Sequence, residues 1–428
     1  MRTDEEPTTV TDEGGTTKLR VALLTDVFAR NMGYLENILP KYFARHGLDV
    51  HVITTGLPPS YYVKGHEETY AGFAEQIREG TLEVLDGFTL HVLPRKRVAG
   101  YMRMVGLRQK LRSLRPDIVQ TTTPIGWATL ETALYKTFLG YKLFTGCHTT
   151  ASVFPLAKQK VPWWNRERMR CTVLRAIPGG FASLLTERCY GATTDCADVG
   201  VRFFGVQKKK MDISPLGVDT ELFTPISSED GQRARLELRK RLGFTESEII
   251  CIYTGRFSED KNPMLLAKAV AHLVGAGHPV RGLFVGNGIQ AEAIQSCAGC
   301  TTHPFVPVYE LPSFFRACDI GVWPTQESTS MLDAAACGLP IIVNDTIAAV
   351  ERIEGNGVKY RLNDVDDLVK VLLELEDPLV RQRLGSFGAK KMLGFSWEAI
   401  ARRRLQDYRA ALEVTGPTVR SLREDASE

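Results

Sequence analysis

The stretch 249–263, IICIYTGRFSEDKNP, decides the fold of this chain. Its first five residues are apolar and predict a buried strand, and Pro263 suits the first turn of a following helix. Gly255 permits the tight turn between the two elements. Arg256 and Lys261 lie in the connecting loop, beside a helix N-terminus whose unpaired amides attract anions. The stretch therefore predicts a strand–loop–helix unit that binds an anion, although two solvated loop charges would give the same pattern.

Apolar runs of strand length alternate with helix-like segments along the rest of the chain. In the second half, runs at 282–285, 320–323 and 341–343 alternate with helices that begin near 289, 311 and 330. In the first half, strands are predicted at 21–24, 50–54, 118–119 and 143–144, with helices over 34–45 and 101–114. This alternation is typical of right-handed crossovers and parallel sheets. The sequence therefore predicts an α/β fold with two Rossmann-like domains whose parallel sheets face a central cleft.

The joint between the two halves is placed at Lys208, where a basic polar stretch begins. The predicted division is a disordered leader at 1–17, an N-terminal domain at 18–207, a C-terminal domain at 208–395, a closing helix at 396–413 and a polar tail at 414–428.

Composition limits the functions that need considering. The 428 residues carry a net charge of +3, which is too small to indicate a nucleic-acid partner. The nine cysteines are scattered without a disulfide-scaffold spacing, which suits a reducing cytoplasm. Cys297 and Cys300 form a lone CxxC that lacks the second pair of a zinc site, so a structural role is expected. No apolar run reaches the roughly 20 residues of a membrane span, so we expect a soluble or peripheral protein.

A second informative loop, PTQESTSMLD, follows the strand predicted at 320–323. Ser328 or Ser330 can cap the helix that begins there, and backbone amides around Ser328, Thr329 and Ser330 can bind phosphate. Glu327 and Asp333 can accept hydrogen bonds from sugar hydroxyls. The alternative for both carboxylates is a favourable interaction with the dipole of the first helical turn.

These motifs, in this order, resemble the donor domain of glycosyltransferase family 4. The matching segments are Gly255-Arg256 with Lys261, GNG at 286–288, LPSFFRACD at 311–319, LDAAACGLP at 332–340, and PLGVD at 215–219 followed by Phe223 and Pro225. The N-terminal half matches more loosely, through PDIV at 116–119 and a strand that ends at His148. The resemblance covers about 18–408.

The resemblance implies the GT-B fold and a nucleotide diphosphate sugar, UDP- or GDP-linked, held mainly by the C-terminal domain. It implies transfer with retention of anomeric configuration, no metal and no cofactor. The N-terminal domain would bind the acceptor, and the helix at 396–413 would cross back onto that domain.

The resemblance also assigns roles to individual residues. Arg256 and Lys261 would bind the donor diphosphate, and His148 would approach the donor sugar. Gly33 would lie near donor phosphate or acceptor, and Asp333 would match the second acid of the family's Glu-x7-Glu pair, which holds the ribose. The full predicted set is catalytic Arg256, Lys261, His148 and Glu327, with donor-binding Gly33, Gly217, Gly255, Ser328, Thr329, Ser330 and Asp333.

The first acid of that pair departs from the family pattern. The position eight residues before Asp333 is Thr325, whereas Glu327 lies six before it. We predict a loop two residues shorter with Glu327 in the same role; otherwise the contact is missing.

Three other functions remain open at this point. Gly286 and Gly288, followed by Ala291, fit the G-x-G-x-x-A pattern of a dinucleotide-binding enzyme. A sugar-nucleotide epimerase or a phosphorylase can share the fold, because fold does not determine function. The odd acid spacing also allows a non-enzymatic scaffold with a decayed site.

Two basic stretches in the first half suggest where the acceptor comes from. Residues 95–115 hold eight basic residues and no acidic one, and residues 158–170 combine basic side chains with Trp163 and Trp164. Such patterns suit an anionic lipid surface. We therefore expect a glycan or polyprenyl-linked acceptor in surface polysaccharide or glycolipid biosynthesis, used by a cytoplasmic enzyme at the inner membrane face. A solvated helix face with core tryptophans is the alternative.

Overall fold

The computed structural model describes residues 18–58, 77–158, 162–347 and 349–413. The predicted leader and tail, and Lys160 of the second basic stretch, lie outside the described residues. The predicted α/β class with two Rossmann-like domains is confirmed, because two parallel sheets form separate cores.

The strands of the N-terminal half are β1 (Arg20–Val27), β2 (Asp49–Leu57), β3 (Leu82–Leu85), β4 (Phe88–Val92), β5 (Arg95–Val98), β6 (Tyr101–Met104), β7 (Ile118–Thr121), β8 (Lys142–Cys147), β9 (Arg188–Gly191) and β10 (Met211–Ile213). Eight of them form one sheet in the order β10-β9-β8-β7-β1-β2-β4-β3, and β5 and β6 form a separate hairpin. All neighbours in the eight-stranded sheet are parallel except β3 and β4. The helices of this half are α1 (Leu35–Arg45), α2 (Leu107–Leu114), α3 (Trp127–Leu139), α4 (Pro155–Lys158), α5 (Arg166–Cys171), α6 (Ile177–Leu185) and α7 (Thr194–Phe203), with a π-helical turn (Thr172–Ala176) joining α5 to α6.

Two predictions for this half are corrected. The helix expected over 101–114 begins only at Leu107, because 101–104 is strand β6, paired antiparallel with β5. Met102 and Met104 are buried while Arg103 between them is exposed, which is the period of a strand. The predicted boundary at 207 also falls too early, since β10 pairs with β9 and extends the N-terminal sheet to Ile213.

The C-terminal sheet has six parallel strands in the order β13-β12-β11-β14-β15-β16. They are β11 (Ile249–Arg256), β12 (Val280–Asn287), β13 (Cys300–His303), β14 (Ile320–Trp323), β15 (Ile341–Asn344) and β16 (Gly357–Tyr360). The helices are α8 (Glu229–Arg241), α9 (Pro263–Gly275), α10 (Ala291–Gln295), α11 (Leu311–Ala317), α12 (Ser330–Ala336), α13 (Val365–Glu374), α14 (Pro378–Met392) and α15 (Trp397–Glu413). Strand order reverses at β11 here and at β1 in the N-terminal sheet. Such switch points open a crevice at the carboxyl ends of the strands, where ligands bind.

The chain passes between the domains at two adjacent places. The amide of Val218 donates to the carbonyl of Phe395 (3.0 Å), and the amide of Trp397 donates to the carbonyl of Val218 (3.1 Å). After this second crossing, α15 packs into the N-terminal core, where the Tyr408 ring lies 4.8 Å from that of Phe144 and 5.6 Å from that of Phe43. The last helix that the structure describes, α15, is therefore part of the N-terminal domain.

Candidate functional site

Two cavities lie at the carboxyl edges of the sheets. The first, of about 390 Å³, is lined by the loop after β1 and by loops of the C-terminal domain; we call it the inter-domain cavity. The second, of about 490 Å³, is lined mostly by the N-terminal domain; we call it the N-terminal cavity. Gly33, Tyr34 and Thr329 line both. The two cavities therefore adjoin, which is the arrangement a reaction between two bound molecules requires.

The end of β11 and the loop that follows it bring two cations to the inter-domain cavity. Arg256 and Lys261 both line it, as does Gly255, whose φ of 145° is a conformation that favours glycine. The Arg256 guanidinium lies 3.4 Å from the carboxylate of Asp260, and the Lys261 ammonium donates to the main-chain carbonyl of Glu327 (3.3 Å). Burial and the neighbouring Arg256 lower the pKa of Lys261 to about 8. An anion in the cavity would offset the cost of holding both charges together.

The GNG pattern at 286–288 has a packing explanation in this structure. Gly286 pairs with Gly255 on the adjacent strand, and a Cβ on Gly286 would collide with the Gly255 main-chain oxygen. A Cβ on Gly288 would lie 2.6 Å from the Phe257 oxygen. Both glycines allow the loops after β11 and β12 to approach closely, so their spacing does not require a bound dinucleotide.

The N-terminus of α12 forms the opposite side of the inter-domain cavity. Ser328, Thr329, Ser330 and Asp333 all line it. Burial, and to a smaller extent the negative charge of Asp219, raises the pKa of Asp333 well above its usual value. A protonated Asp333 can donate a hydrogen bond to a ligand hydroxyl as well as accept one.

Glu327 does not line either cavity, although its predicted role requires contact with a bound ligand. One carboxylate oxygen accepts a hydrogen bond from the Ala349 amide (2.9 Å), and the other lies 3.7 Å from the buried Arg352 guanidinium. Neither Glu327 nor Thr325 is among the residues lining the two cavities. Arg352 thus turns the Glu327 side chain toward the segment after β15, and the predicted contact of Glu327 with a ligand is not supported.

The loop after β1 reaches across to the C-terminal domain at Gly33. A Cβ there would lie 2.8 Å from a methyl group of Val308, whose amide donates to the Asn31 carbonyl (3.0 Å). Gly33 therefore lies at the meeting point of the domains and of the two cavities, where any side chain would push the loop away.

His148 follows β8 and lines the N-terminal cavity. Burial and the nearby Arg404 lower the pKa of its ring to about 4, so the imidazole is neutral at pH 7. Its Nδ1 is buried and has no hydrogen-bond partner among the described residues. Gly217, by contrast, packs against Trp397 and Ile400 at the crossing between domains and lines neither cavity. The predicted donor contact of Gly217 is therefore replaced by a packing role.

Several polar residues of the N-terminal cavity were missed from sequence. Asp26, Glu36 and Tyr101 line it, together with Thr121, Thr122 and Thr123. Burial raises the pKa of the Glu36 carboxyl to about 7. The signal in the sequence was only a carboxylate in the first turn of α1, which usually indicates a dipole interaction.

The described residues contain no group of three or more His, Cys, Asp or Glu side chains placed to hold a metal ion. Within the same ranges, no helix has both the length and the hydrophobicity needed to cross a membrane.

Two family models match separate halves of the chain. Residues 39–222 match Glycosyltransferase Family 4, and residues 248–377 match Glycosyl transferases group 1. A D-inositol 3-phosphate glycosyltransferase of Segniliparus rotundus is 27% identical over 398 residues, which cover 86% of this chain and 82% of that protein.

Solved structures share the architecture at low sequence identity. Sucrose-phosphate synthase of Thermosynechococcus elongatus has a TM-score of 0.69 at 16% identity, covering 93% of this chain and 100% of that one. HepE of Anabaena in complex with UDP and glucose has a TM-score of 0.65 at 15% identity, covering 91% and 99%. With the domain order, the cleft and the motifs around Arg256 and Asp333, these matches show that the chain is a GT-B glycosyltransferase that belongs to glycosyltransferase family 4.

Proposed function

We propose that this chain is a retaining, metal-independent hexosyltransferase that uses a UDP- or GDP-linked sugar. The observation that carries the proposal is the pairing of Arg256 and Lys261 in the inter-domain cavity, opposite the amides at the start of α12. A diphosphate is the anion that two cations and a helix N-terminus suit together. The UDP complex of the structurally similar HepE supports a nucleotide donor in this fold.

In the proposed reaction, the bond between the sugar and the diphosphate breaks as the acceptor hydroxyl attacks the same face. The leaving diphosphate gains negative charge, which Arg256 and Lys261 stabilise more strongly in the transition state than in the ground state. A donor phosphate oxygen takes the acceptor proton, so no side chain acts as nucleophile. Asp333 hydrogen-bonds the donor in the inter-domain cavity, and neutral His148 approaches the donor sugar from the N-terminal cavity.

The acceptor would occupy the N-terminal cavity, which adjoins the inter-domain cavity at Gly33. Threonine hydroxyls and the carboxyls of Asp26 and Glu36 in its lining suit an acceptor with several hydroxyl groups. We propose a glycan or polyprenyl-linked acceptor, used in surface polysaccharide or glycolipid biosynthesis by a cytoplasmic enzyme that associates with the inner membrane face.

The exposed surface supports the membrane proposal in part. Trp163 and Trp164 are 74% and 64% exposed, so the alternative that they are core residues is wrong. Arg103, however, pairs with Glu131 (2.6 Å), and Arg95 donates to the carbonyl of Thr55 (2.9 Å). Two of the eight basic residues in the first stretch therefore have structural partners, and the second stretch supplies the exposed tryptophans.

The test is turnover of a panel of nucleotide sugars, with NMR of the anomeric proton in the released sugar or product. We expect one nucleotide sugar to be used in EDTA with its configuration retained, and Arg256→Ala to lower turnover by roughly 10² or more, the scale of one preorganised charge contact. Arg233→Ala, at a well-exposed arginine of α8, is the matched control. Inversion of configuration, or strict dependence on Mn²⁺, would contradict the proposal.

A further inference from the structure

A third cavity, of about 410 Å³, lies beneath the π-helical turn; we call it the π-turn cavity. Phe154, Leu156 and Leu174 give it apolar walls, and Arg170 and Arg175 are its cationic lining residues. π-Helical turns inside helices are rare and frequently mark functional sites. Glu167 also lines it, so the cavity combines an apolar interior with two guanidinium groups and a carboxylate.

Tyr101 connects this cavity to the N-terminal cavity, because it lines both. Its hydroxyl accepts a hydrogen bond from Nε of Arg175 (2.7 Å), and the Arg175 guanidinium lies 5.4 Å from the centre of the Phe154 ring. One aromatic side chain, held by an arginine, is thus shared by the proposed acceptor cavity and the apolar π-turn cavity.

The outer face of the same helical run is apolar. Residues 166–185 form one continuous run of α5, the π-helical turn and α6. Five exposed apolar side chains are spaced by four, four, four and three residues along it, which places them on one face. They are Met169 (50% exposed), Val173 (59%), Ile177 (62%), Phe181 (41%) and Leu184 (62%). A continuous exposed apolar face of this kind is unusual for a monomer that contacts only water.

Cations lie at both ends of this apolar face. Arg166 and Arg170 are exposed at its beginning, near the two exposed tryptophans. Lys208 and Lys209 are exposed near its end, and Lys210 donates to the Leu184 carbonyl (2.8 Å) at the end of α6. An apolar stripe with cationic ends is complementary to a molecule that joins hydrocarbon to phosphate, as at an anionic lipid surface.

We propose that the π-turn cavity binds the hydrocarbon chain of a phosphate-linked lipid acceptor, with Arg170 and Arg175 at its phosphate and its hydroxyl-bearing group in the N-terminal cavity. This inference rests on the proposed function, since it extends the proposed acceptor site. The apolar face of 166–185 would lie against the lipid surface from which the chain enters.

The test is calorimetry of the full chain with octyl, decyl and dodecyl phosphate below their micellar concentrations, with inorganic phosphate as the second arm. Each methylene that enters the cavity raises affinity by about fourfold, so we expect affinity to rise from octyl to dodecyl phosphate, whereas inorganic phosphate binds far more weakly. Leu156→Trp fills the cavity, and Leu174→Glu places a carboxylate at it. Both should weaken dodecyl phosphate binding at least tenfold.

Leu373→Glu is the matched control, because Leu373 on α13 is 36% exposed, as is Leu174. UDP and GDP binding to each variant reports an intact fold and an intact donor cavity. Dodecyl phosphate that binds no more tightly than inorganic phosphate, or that binds both variants as well as wild type, overturns the inference even if nucleotide binding is normal. If the wild-type chain does not bind UDP or GDP, that result contradicts the proposed function instead.

Discussion

Lys261 allows a test of nucleotide binding in the inter-domain cavity, because its pKa of about 8 falls within a pH range in which affinity is easily measured. A bound diphosphate favours the ammonium form, so binding must take up a proton wherever the lysine is neutral beforehand. With a pKa of about 8, the protonated fraction falls from about nine-tenths at pH 7 to about one-tenth at pH 9. UDP or GDP should therefore bind about tenfold more weakly at pH 9 than at pH 7.

Substitutions at Lys261 distinguish the effect of its positive charge on nucleotide affinity from the effect of its deprotonation at high pH. Two unit charges about 4 Å apart attract by about 4 kcal/mol at an effective dielectric constant of 20. Part of this is offset by the cost of burying the ammonium, which the lowered pKa reflects. We expect Lys261→Met to bind the nucleotide on the order of a hundredfold more weakly at pH 7, and with no pH dependence.

Calorimetry between pH 7 and 9, in buffers of different ionisation enthalpy, measures both affinity and proton uptake. Lys261→Arg should bind without the loss at high pH, since a guanidinium stays charged throughout this range. Lys268→Met, at an exposed lysine on α9, should keep the wild-type slope. A wild-type affinity that is flat between pH 7 and 9, or a slope that persists in Lys261→Met, would refute this reasoning.

Three further outcomes are expected. Gly286→Ala should lower the melting temperature, because the new Cβ would meet a main-chain oxygen of β11. In the control Gly275→Ala the Cβ meets nothing within 4 Å, so stability should stay unchanged or rise by up to about 1 kcal/mol. Equal melting temperatures of the two variants would contradict the packing role of Gly286. Because the pKa of Glu36 is raised in the folded chain, its carboxyl ionises at lower pH in the unfolded chain. The stability of the wild-type chain should therefore fall relative to Glu36→Gln as pH rises from 4.5 to about 7. A constant difference in melting temperature between the two chains over that range would contradict this. Arg239→Ala should lower the free energy of unfolding by about 3–5 kcal/mol in urea titrations, because the guanidinium is 2% exposed and lies 2.6 Å from the Asp319 carboxylate; a loss below about 1 kcal/mol would argue against a buried pair.

The C-terminal domain was predictable because its signals are local. The four strands that were predicted there, β11, β12, β14 and β15, contain short apolar runs, whereas the more polar β13 and β16 were not predicted. Arg256 ends β11, and Ser328 lies in the loop after β14. Lining residues such as Arg256 and Asp333 could therefore be placed from chain position alone.

Contacts between distant segments were not visible in the sequence. The Glu327 carboxylate contacts the Ala349 amide and Arg352, yet nothing near Glu327 in the chain indicates those partners. The hairpin of β5 and β6 was missed because the apolar residues from Tyr101 to Leu114 also fit a helical period. Gly106 separates the two patterns with a φ of 82°, which the composition of the segment did not indicate.

The two adjacent crossings near Val218 constrain how the cleft can open. Because these two segments are hydrogen-bonded side by side, an opening of the cleft would turn about Val218 as one hinge. Asp219, whose carboxylate accepts from the Tyr42 hydroxyl (2.7 Å), lies beside this hinge. The hydrogen bond between Asn31 and Val308 lies at the mouth and must break. The rate of nucleotide release would then depend on this hydrogen bond at the loop after β1, rather than on the residues that bind the phosphates.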